Sequence, residues 1–486
     1  MVLKVYNTLT RSEEEFKPLK DKIVNMFVCG QTPYDDAHLG HARNYIMFDV
    51  IARWLRHEGY RVNYVQNITD IDDKIINRAK EQGITAEQLE RKYEKRFLED
   101  MEAIGVKKNI TKYARSHDYI EAIRQQIQLL LDKGYAYYLD GDIYYDVDKF
   151  KDYTKLSGMK LEELKNHRIE PKEGKRNVYD FALWKAAKPG EPKWDIKLNI
   201  DGKERVLSGR PGWHIEDTAI TYTIFGPQYD LHGGASELIF PHHTNEIAQA
   251  EAAFGKKPFV RYWLHTGVLN INNVKMSKSL KNFITIRDTL SKYDPEALRL
   301  MMISANYRKE VNYTDRMMQD AQGKLNYIYN SFSILYNYPK ILGSKSTDEE
   351  ALIEGFRGFE REFTELMDDD FNTSVALMKL IAILTTIRSY LESHDGITQN
   401  SKDYLIKGIL EYADIFGLLE NTYYKDSLPE GLEGLIKKRD ELRKNKDYAE
   451  ADKIRDEIKE KYGIMLEDTE YGTVWYKKRA QENVSA

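Results

Sequence analysis

"FVCGQTPYDDAHLGHAR" (Phe27–Arg43) joins the end of an apolar run to the start of a helical pattern, and that junction decides the fold. The run "KIVNMFVCG" (Lys22–Gly30) is short, apolar and closed by Gly, which reads as a buried strand. After it, "HARNYIMFDVIARWLRHEGY" carries Tyr45, Phe48, Ile51, Trp54 and Leu55 at helical spacing, with Gly59 as its stop. "RVNYVQNIT" (Arg61–Thr69) repeats the strand signal and "DIDDKIINRAKEQG" the helix signal. Asp70, Asp72 and Asp73 fall at the start of that second helix, where acids cap free amides and meet the positive dipole end. Thr85 with Gln88 makes a capping box for a third helix through Met101. Strand, helix, strand, helix in this order predicts a Rossmann-like parallel sheet of the α/β class.

The pattern breaks near residue 118. "YAYYLDGDIYYDV" reads as a hairpin around Asp140-Gly141, which belongs to an inserted antiparallel or mixed subdomain over roughly 118–205. The α/β signal resumes around Gly209. From Asp294 the chain is almost wholly helical in pattern, with "FNTSVALMKLIAILTTIRSYLES" (Phe371–Ser393) its clearest amphipathic run, and "YYKDSLPEG" (Tyr423–Gly431) sets off a last segment. The expected division is a core over 1–310, an all-α bundle over 311–425 and a small C-terminal module over 426–486.

Composition narrows the class. A chain of 486 residues is too long for one core. Hydrophobic content of 42% and charged content of 31% fit a globular protein, and no apolar stretch is expected to reach membrane-spanning length. The N-terminus lacks an apolar signal core, and a lone cysteine cannot form an internal disulfide, so a cytoplasmic setting is the default. A net charge of −5 excludes a protein basic all over, but leaves room for a local basic face that meets nucleic acid.

Two short motifs carry chemistry. His38-Leu39-Gly40-His41 stands between a strand and the helix it opens, so two imidazoles face free amides and the positive dipole end, a placement that suits triphosphate binding. Gly40 removes a side chain where a nucleotide must lie close to backbone. Taken alone, the same residues also fit a helix-capping pair with no ligand. Lys275-Met276-Ser277-Lys278-Ser279 sets two lysines among hydroxyls in a polar loop, where their charge can meet a transferring phosphoryl group. By itself it also fits an exposed basic loop.

Together and in this order, the two motifs resemble the HIGH and KMSKS signatures of class I aminoacyl-tRNA synthetases. "PGWHIEDTAI" (Pro211–Ile220), "YDLHGGASELIFPHHTNEIAQAEA" (Tyr229–Ala252), "NITDIDDKII" (Asn67–Ile76), "MDDDFNTSVAL" and "YAEADKIRDEI" resemble the cysteinyl-tRNA synthetase family, over nearly the whole chain. The resemblance implies ATP-dependent activation of L-cysteine and its transfer to the 3′ end of tRNA(Cys). His38, Gly40, His41, Lys275 and Lys278 would meet ATP with Mg²⁺, and Asp230 and Gly233 the nucleotide. Thr69, Trp213 and His232 would close around the amino acid. A monomer is expected, with no membrane partner.

The family holds zinc with two Cys, a His and a Glu. Carried over by position, the ligands are Cys29, His242 and Glu246, with His242 and Glu246 at i, i+4 on one helix face. The second family Cys falls on Asp217. Asp keeps the formal charge of a thiolate but supplies a harder donor, with oxygen at about 2.0–2.2 Å from zinc against about 2.3 Å for sulfur. The alternatives are zinc held by three ligands, or a metal-free pocket in which Asp217 hydrogen-bonds His242 or His214. Tyr471, Trp475 and Tyr476, among basic residues, suit stacking on anticodon bases. Two other readings use the same core: a cysteine ligase acting on an amino-sugar, which needs no anticodon reader, and a catalytically silent tRNA-binding relative.

Overall fold

The computed structural model describes residues 2–159, 172–276, 282–338, 340–421, 428–429, 431–469 and 472–477. These fall into two compact units: Val2–Arg287 with Tyr307–Asn312, and Asp288–Asn306 with the described part of Tyr313–Ala486.

The first unit is built on a five-stranded parallel sheet. Its spatial order is Val260–Thr266, Tyr229–Ala235, Ile23–Gln31, Arg61–Ile68 and Lys112–Arg115. In chain order that is 5-4-1-2-3, the doubly wound arrangement, whose strand order reverses between Ile23–Gln31 and Tyr229–Ala235. A ligand crevice opens at the carboxyl ends of strands at such a point, and Cys29 and His232 both lie on the flanking strands. The helix Leu39–His57 follows the first strand as expected, and Phe48, Ile51, Trp54 and Leu55 are fully buried. Thr85 and Gln88 form the expected capping box, opening the helix Ala86–Ala103. Of the three early acids only Asp72 caps the helix Asp73–Gln82; Asp70 pairs with His117, and Asp73 with Lys185 and Arg210.

The insertion is a five-stranded antiparallel sheet ordered Ala136–Leu139, Asp142–Tyr145, Phe181–Ala186, Lys203–Pro211, Trp194–Ile200. Asp140 and Gly141 both have positive φ (49° and 91°), as a two-residue hairpin turn requires. This sheet runs past the expected end near 205. Gly209 pairs with Ala186 inside it, where an added Cβ would lie 2.2 Å from the Lys185 carbonyl oxygen, and the core resumes only with the helix Ile215–Phe225. Ile143, Trp184, Ile196 and Leu198 from the insertion share one apolar core with Phe27, Val65, Tyr229 and Trp263 from the parallel sheet.

The second unit is largely helical: Pro295–Ile303, Asp315–Asn337, Thr347–Asp368, Thr373–Ser393 and Gln399–Phe416, then Leu432–Lys444 and Tyr448–Tyr462. The helical pattern ends at Gly463, after which Ile464–Thr469 and Gly472–Lys477 form a hairpin. Leu432, Ile436, Ile454, Ile458 and Ile464 make a small core of their own. One expectation needs correcting. Thr373–Ser393 is long and apolar enough to cross a membrane, with mean hydropathy 1.4. Its Ala376, Leu377, Leu380, Ile383, Leu384, Ile387 and Leu391 recur at helical spacing and are buried, so its apolar character serves a core face.

Candidate active site and metal centre

Cys29 sits near the end of the central strand, where the pairing with Arg61–Ile68 shifts register between Val28 and Gln31. Its Sγ is 3.5 Å from Oδ2 of Asp217, which lies in the first turn of the helix Ile215–Phe225. Nε2 of His242 is 3.0 Å from the same Oδ2 and 3.1 Å from Oε1 of Glu246. Glu246 lies in the first turn of the helix Thr244–Phe254, and His242 belongs to a wider turn just before that helix rather than to the helix itself. One donor atom from each of Cys29, Asp217, His242 and Glu246 lies within 4.8 Å of every other, and all four residues are buried.

The chemistry of this donor set calls for a cation. Burial, then the nearby Asp217 and Glu246 charges, push the Cys29 thiol well above its usual range. Burial and Asp217 likewise push Glu246 up. Neither Glu246 oxygen has a hydrogen-bond partner among the described residues. Nδ1 of His242 is 2.9 Å from Nδ1 of His214, an imidazole that burial holds neutral. A proton on Nδ1 of His242, donated to His214, leaves Nε2 a bare donor atom aimed at the two carboxylates. Three acidic groups and one imidazole, converging without solvent, fit a divalent metal ion.

Two neighbours escaped sequence reasoning. Nε2 of His243 lies 3.2 Å from Sγ of Cys29, and its Nδ1 2.8 Å from Nε2 of His265. Cys29, His232, His243 and Glu246 form a second cluster of compatible size that shares two members with the first. His243 directly follows His242 in "PHH", so a signal was present in the sequence. Asn67 is the other: its Nδ2 donates to Oδ1 of Asp217 at 2.6 Å and to the Thr69 hydroxyl at 3.2 Å.

The amino-acid residues expected around the cluster are there. Trp213 stacks on His242 with ring centroids 4.2 Å apart, and is partly exposed. His232 is fully buried, with Nε2 3.4 Å from Sγ of Cys29 and Nδ1 2.6 Å from the Tyr229 hydroxyl. Thr69 is buried beside Asn67.

His38 caps the helix Leu39–His57: its Nδ1 accepts from the amides of Gly40 (3.1 Å) and His41 (3.4 Å). Nδ1 of His41 accepts from the His38 amide at 3.2 Å, and the two rings stack with centroids 3.8 Å apart. Because both Nδ1 atoms accept, each ring carries its proton on Nε2. The capping role and the ligand role are therefore compatible, since they use opposite ring nitrogens. An added Cβ on Gly40 would lie 2.9 Å from the His38 ring. The segment after the lysine motif docks on this turn, with the Leu39 amide donating to Ile284 and the Ile286 amide to Ala37. Lys275 pairs with Glu237. Lys278 lies outside the described residues.

Asp230 and Gly233, both expected near the nucleotide, have partners within the fold. Asp230 stands at the opposite, amino end of its strand, where its carboxylate accepts from the amides of Leu19 (2.5 Å) and Asn25 (2.8 Å). It ties down a chain entry and does not face the crevice. An added Cβ on Gly233 would lie 2.3 Å from the Phe48 ring, so the glycine makes room for a helix side chain. Trp475 packs against the small C-terminal core, while Tyr471 and the Tyr476 side chain lie outside the described residues.

The tRNA synthetases class I (C) catalytic domain matches residues 15–323, and the DALR domain residues 362–420. A cysteine–tRNA ligase of Thermococcus onnurineus (strain NA1) is 46% identical, over 98% of this chain and 99% of its own length. The chain belongs to the cysteine–tRNA ligase family. A second member of that family, from Pyrococcus abyssi (strain GE5 / Orsay), is 45% identical over the same shares. Among solved structures, a Mycobacterium tuberculosis methionyl-tRNA synthetase in complex with methionyl-adenylate aligns with a TM-score of 0.57. That alignment covers 81% of this chain and 89% of the other at 15% identity, which supports the class I fold alone.

Proposed function

We propose that the chain activates L-cysteine with ATP, forming cysteinyl-adenylate and pyrophosphate, and transfers the cysteinyl group to the 3′ end of tRNA(Cys). The observation that carries this reading is the convergence of Cys29, Asp217, His242 and Glu246 in a family member of matching length. Those four residues would hold zinc, which supplies a Lewis acid that stabilises a substrate thiolate far more readily than an alkoxide. That difference is what a pocket needs, because shape alone separates cysteine poorly from serine.

The set containing Asp217 is preferred to the overlapping set with His232 and His243. It brings all three anionic groups of the cluster to one ion, whereas the other leaves the Asp217 carboxylate buried without a cation. His232, with Nε2 toward Cys29, and Trp213, stacked on His242, wall the space where the amino acid would lie. His38 and His41 offer Nε2–H groups to the ATP phosphates as charge redistributes, Lys275 adds positive charge, and Mg²⁺ accompanies the triphosphate. The second unit, with its DALR match, supplies the surface for tRNA, which speaks against an amino-sugar acceptor.

The test is aminoacylation with cysteine, with serine, and without tRNA, alongside zinc analysis of protein purified without chelators. Cysteine-dependent charging with one zinc per chain is expected, and Cys29→Ser should lose both. Charging with serine in preference to cysteine would overturn the reading.

A further inference from the structure

A carboxylate in place of a thiolate raises a problem that sulfur does not have. It offers two oxygens, and either can turn toward a metal or both can chelate it. In this structure the two oxygens of Asp217 are sorted. Oδ2 faces the cluster, 3.0 Å from Nε2 of His242 and 3.5 Å from Sγ of Cys29. Oδ1 receives the Asn67 side-chain amide at 2.6 Å. The other end of the same side chain is also committed, because Oδ1 of Asn67 accepts the Gly30 amide at 2.5 Å.

That second bond lies next to Cys29, at the point where the strand loses register with Arg61–Ile68. The ladder is interrupted there, and the Asn67 side chain supplies the acceptor for the Gly30 amide. An added Cβ on Gly30 would lie 1.7 Å from the backbone carbonyl oxygen of Asn67, so only glycine lets the two strands approach this closely here. The orientation of the Asn67 amide is fixed by its partners: a backbone N–H needs an acceptor and a carboxylate needs a donor. Asn67 and Asp217 are both almost completely buried, so no water competes for these bonds.

We propose that Asn67 is a positioning residue of the metal centre, holding Asp217 as a one-oxygen ligand and fixing the backbone beside Cys29, so that a carboxylate occupies the place of a single sulfur. The inference rests on the zinc reading above. Asn67 touches neither substrate nor metal; it acts through two ligands. Its link to Asp217 is what this chain adds, since a cysteine there would have no second oxygen to restrain.

The experiment is a double-mutant cycle read as zinc affinity by chelator competition, and as the visible spectrum of the Co²⁺-substituted protein. Asn67→Ala should weaken zinc binding by about 10- to 100-fold beside Asp217, the range for groups that orient a ligand. In the Asp217→Cys background the same substitution should cost several-fold less, because only the Gly30 contact beside Cys29 is then lost. Asn67→Asp serves if the alanine variant does not fold: it keeps the acceptor for Gly30 and puts a carboxylate against Asp217. It should lose zinc in the parent and retain it beside Asp217→Cys. Equal losses in both backgrounds would overturn the proposal, leaving Asn67 a purely structural residue. Full zinc affinity in the single variants would also overturn it, while leaving the zinc reading intact. An unmodified protein that binds no zinc would remove both.

Discussion

The imidazole of His242 and the carboxylate of Asp217 face each other at 3.0 Å between Nε2 and Oδ2, both nearly sealed from solvent. On its far side the same imidazole meets His214 at 2.9 Å. One ring thus links the Asp217 carboxylate to an imidazole that burial holds neutral.

Removing the charge of Asp217 while nearly keeping its shape should empty the site. Asp217→Asn is expected to weaken zinc by at least about tenfold, measured as metal per chain after chelator challenge. Asp217→Cys should retain zinc and, with Co²⁺ bound, show stronger sulfur-to-metal charge-transfer absorption than the parent.

His38 combines a cap with a proposed phosphate contact, and the two can be separated. Asn is a good cap, so His38→Asn should unfold within about 1 kcal/mol of the parent. It lacks the outward Nε2–H, so the rate of cysteine-dependent pyrophosphate exchange should fall by about 10²–10³-fold, the scale of losing one transition-state donor. A His38→Ala variant should lose both activity and roughly 1 kcal/mol of stability.

Asp230 should matter for folding and not for ATP. Asp230→Ala removes the acceptor for the part-buried amides of Leu19 and Asn25, a cost of about 0.5–1.5 kcal/mol each in chemical denaturation. The KM for ATP should stay within about twofold of the parent, since the carboxylate sits at the amino end of its strand.

Burial holds His265 neutral in the metal-free fold, with its pKa lowered from 6.5 to about 3. The unfolded chain therefore binds a proton there between these values that the native state refuses. Stability from this group is present above pH 6.5 and is lost as pH falls toward 3, by about 1.4 kcal/mol per pH unit. Buried acids such as Asp100, raised to about 7 by desolvation, act in the opposite sense, so the difference between two proteins is the clean observable. Chelator-treated parent should lose about 1.2 kcal/mol more than His265→Gln between pH 6 and pH 5, by denaturant titration.

Much of this architecture was legible from local pattern. The alternation over the first hundred residues, the Thr85–Gln88 cap and the Asp140-Gly141 turn each rest on short-range rules, and each appears where expected. Cys29, His242 and Glu246 come together as the resemblance implied, and Asp217 joins them. What escaped depends on long-range geometry. Asn67 looks like an ordinary strand residue until an interrupted ladder and a carboxylate 150 residues away both claim its amide. Asp230 and Gly233 share a strand with His232, yet the motif does not show that one carboxylate lies at the strand's amino end or that Phe48 fills the space beside the glycine. Thr373–Ser393 satisfies a membrane criterion because hydropathy counts residues without asking which neighbours bury them.

The separation of the metal donors along the chain bears on how the protein is made. Cys29 and Asp217 are 188 residues apart, and the whole antiparallel insertion is synthesised between them. A chain leaving the ribosome exposes its one thiol early, with none of the other three donors yet translated. A metal held by all four residues would therefore have to wait until the helix Thr244–Phe254 is translated. In the nascent chain such an ion would be a late clasp across two separately made halves of one sheet.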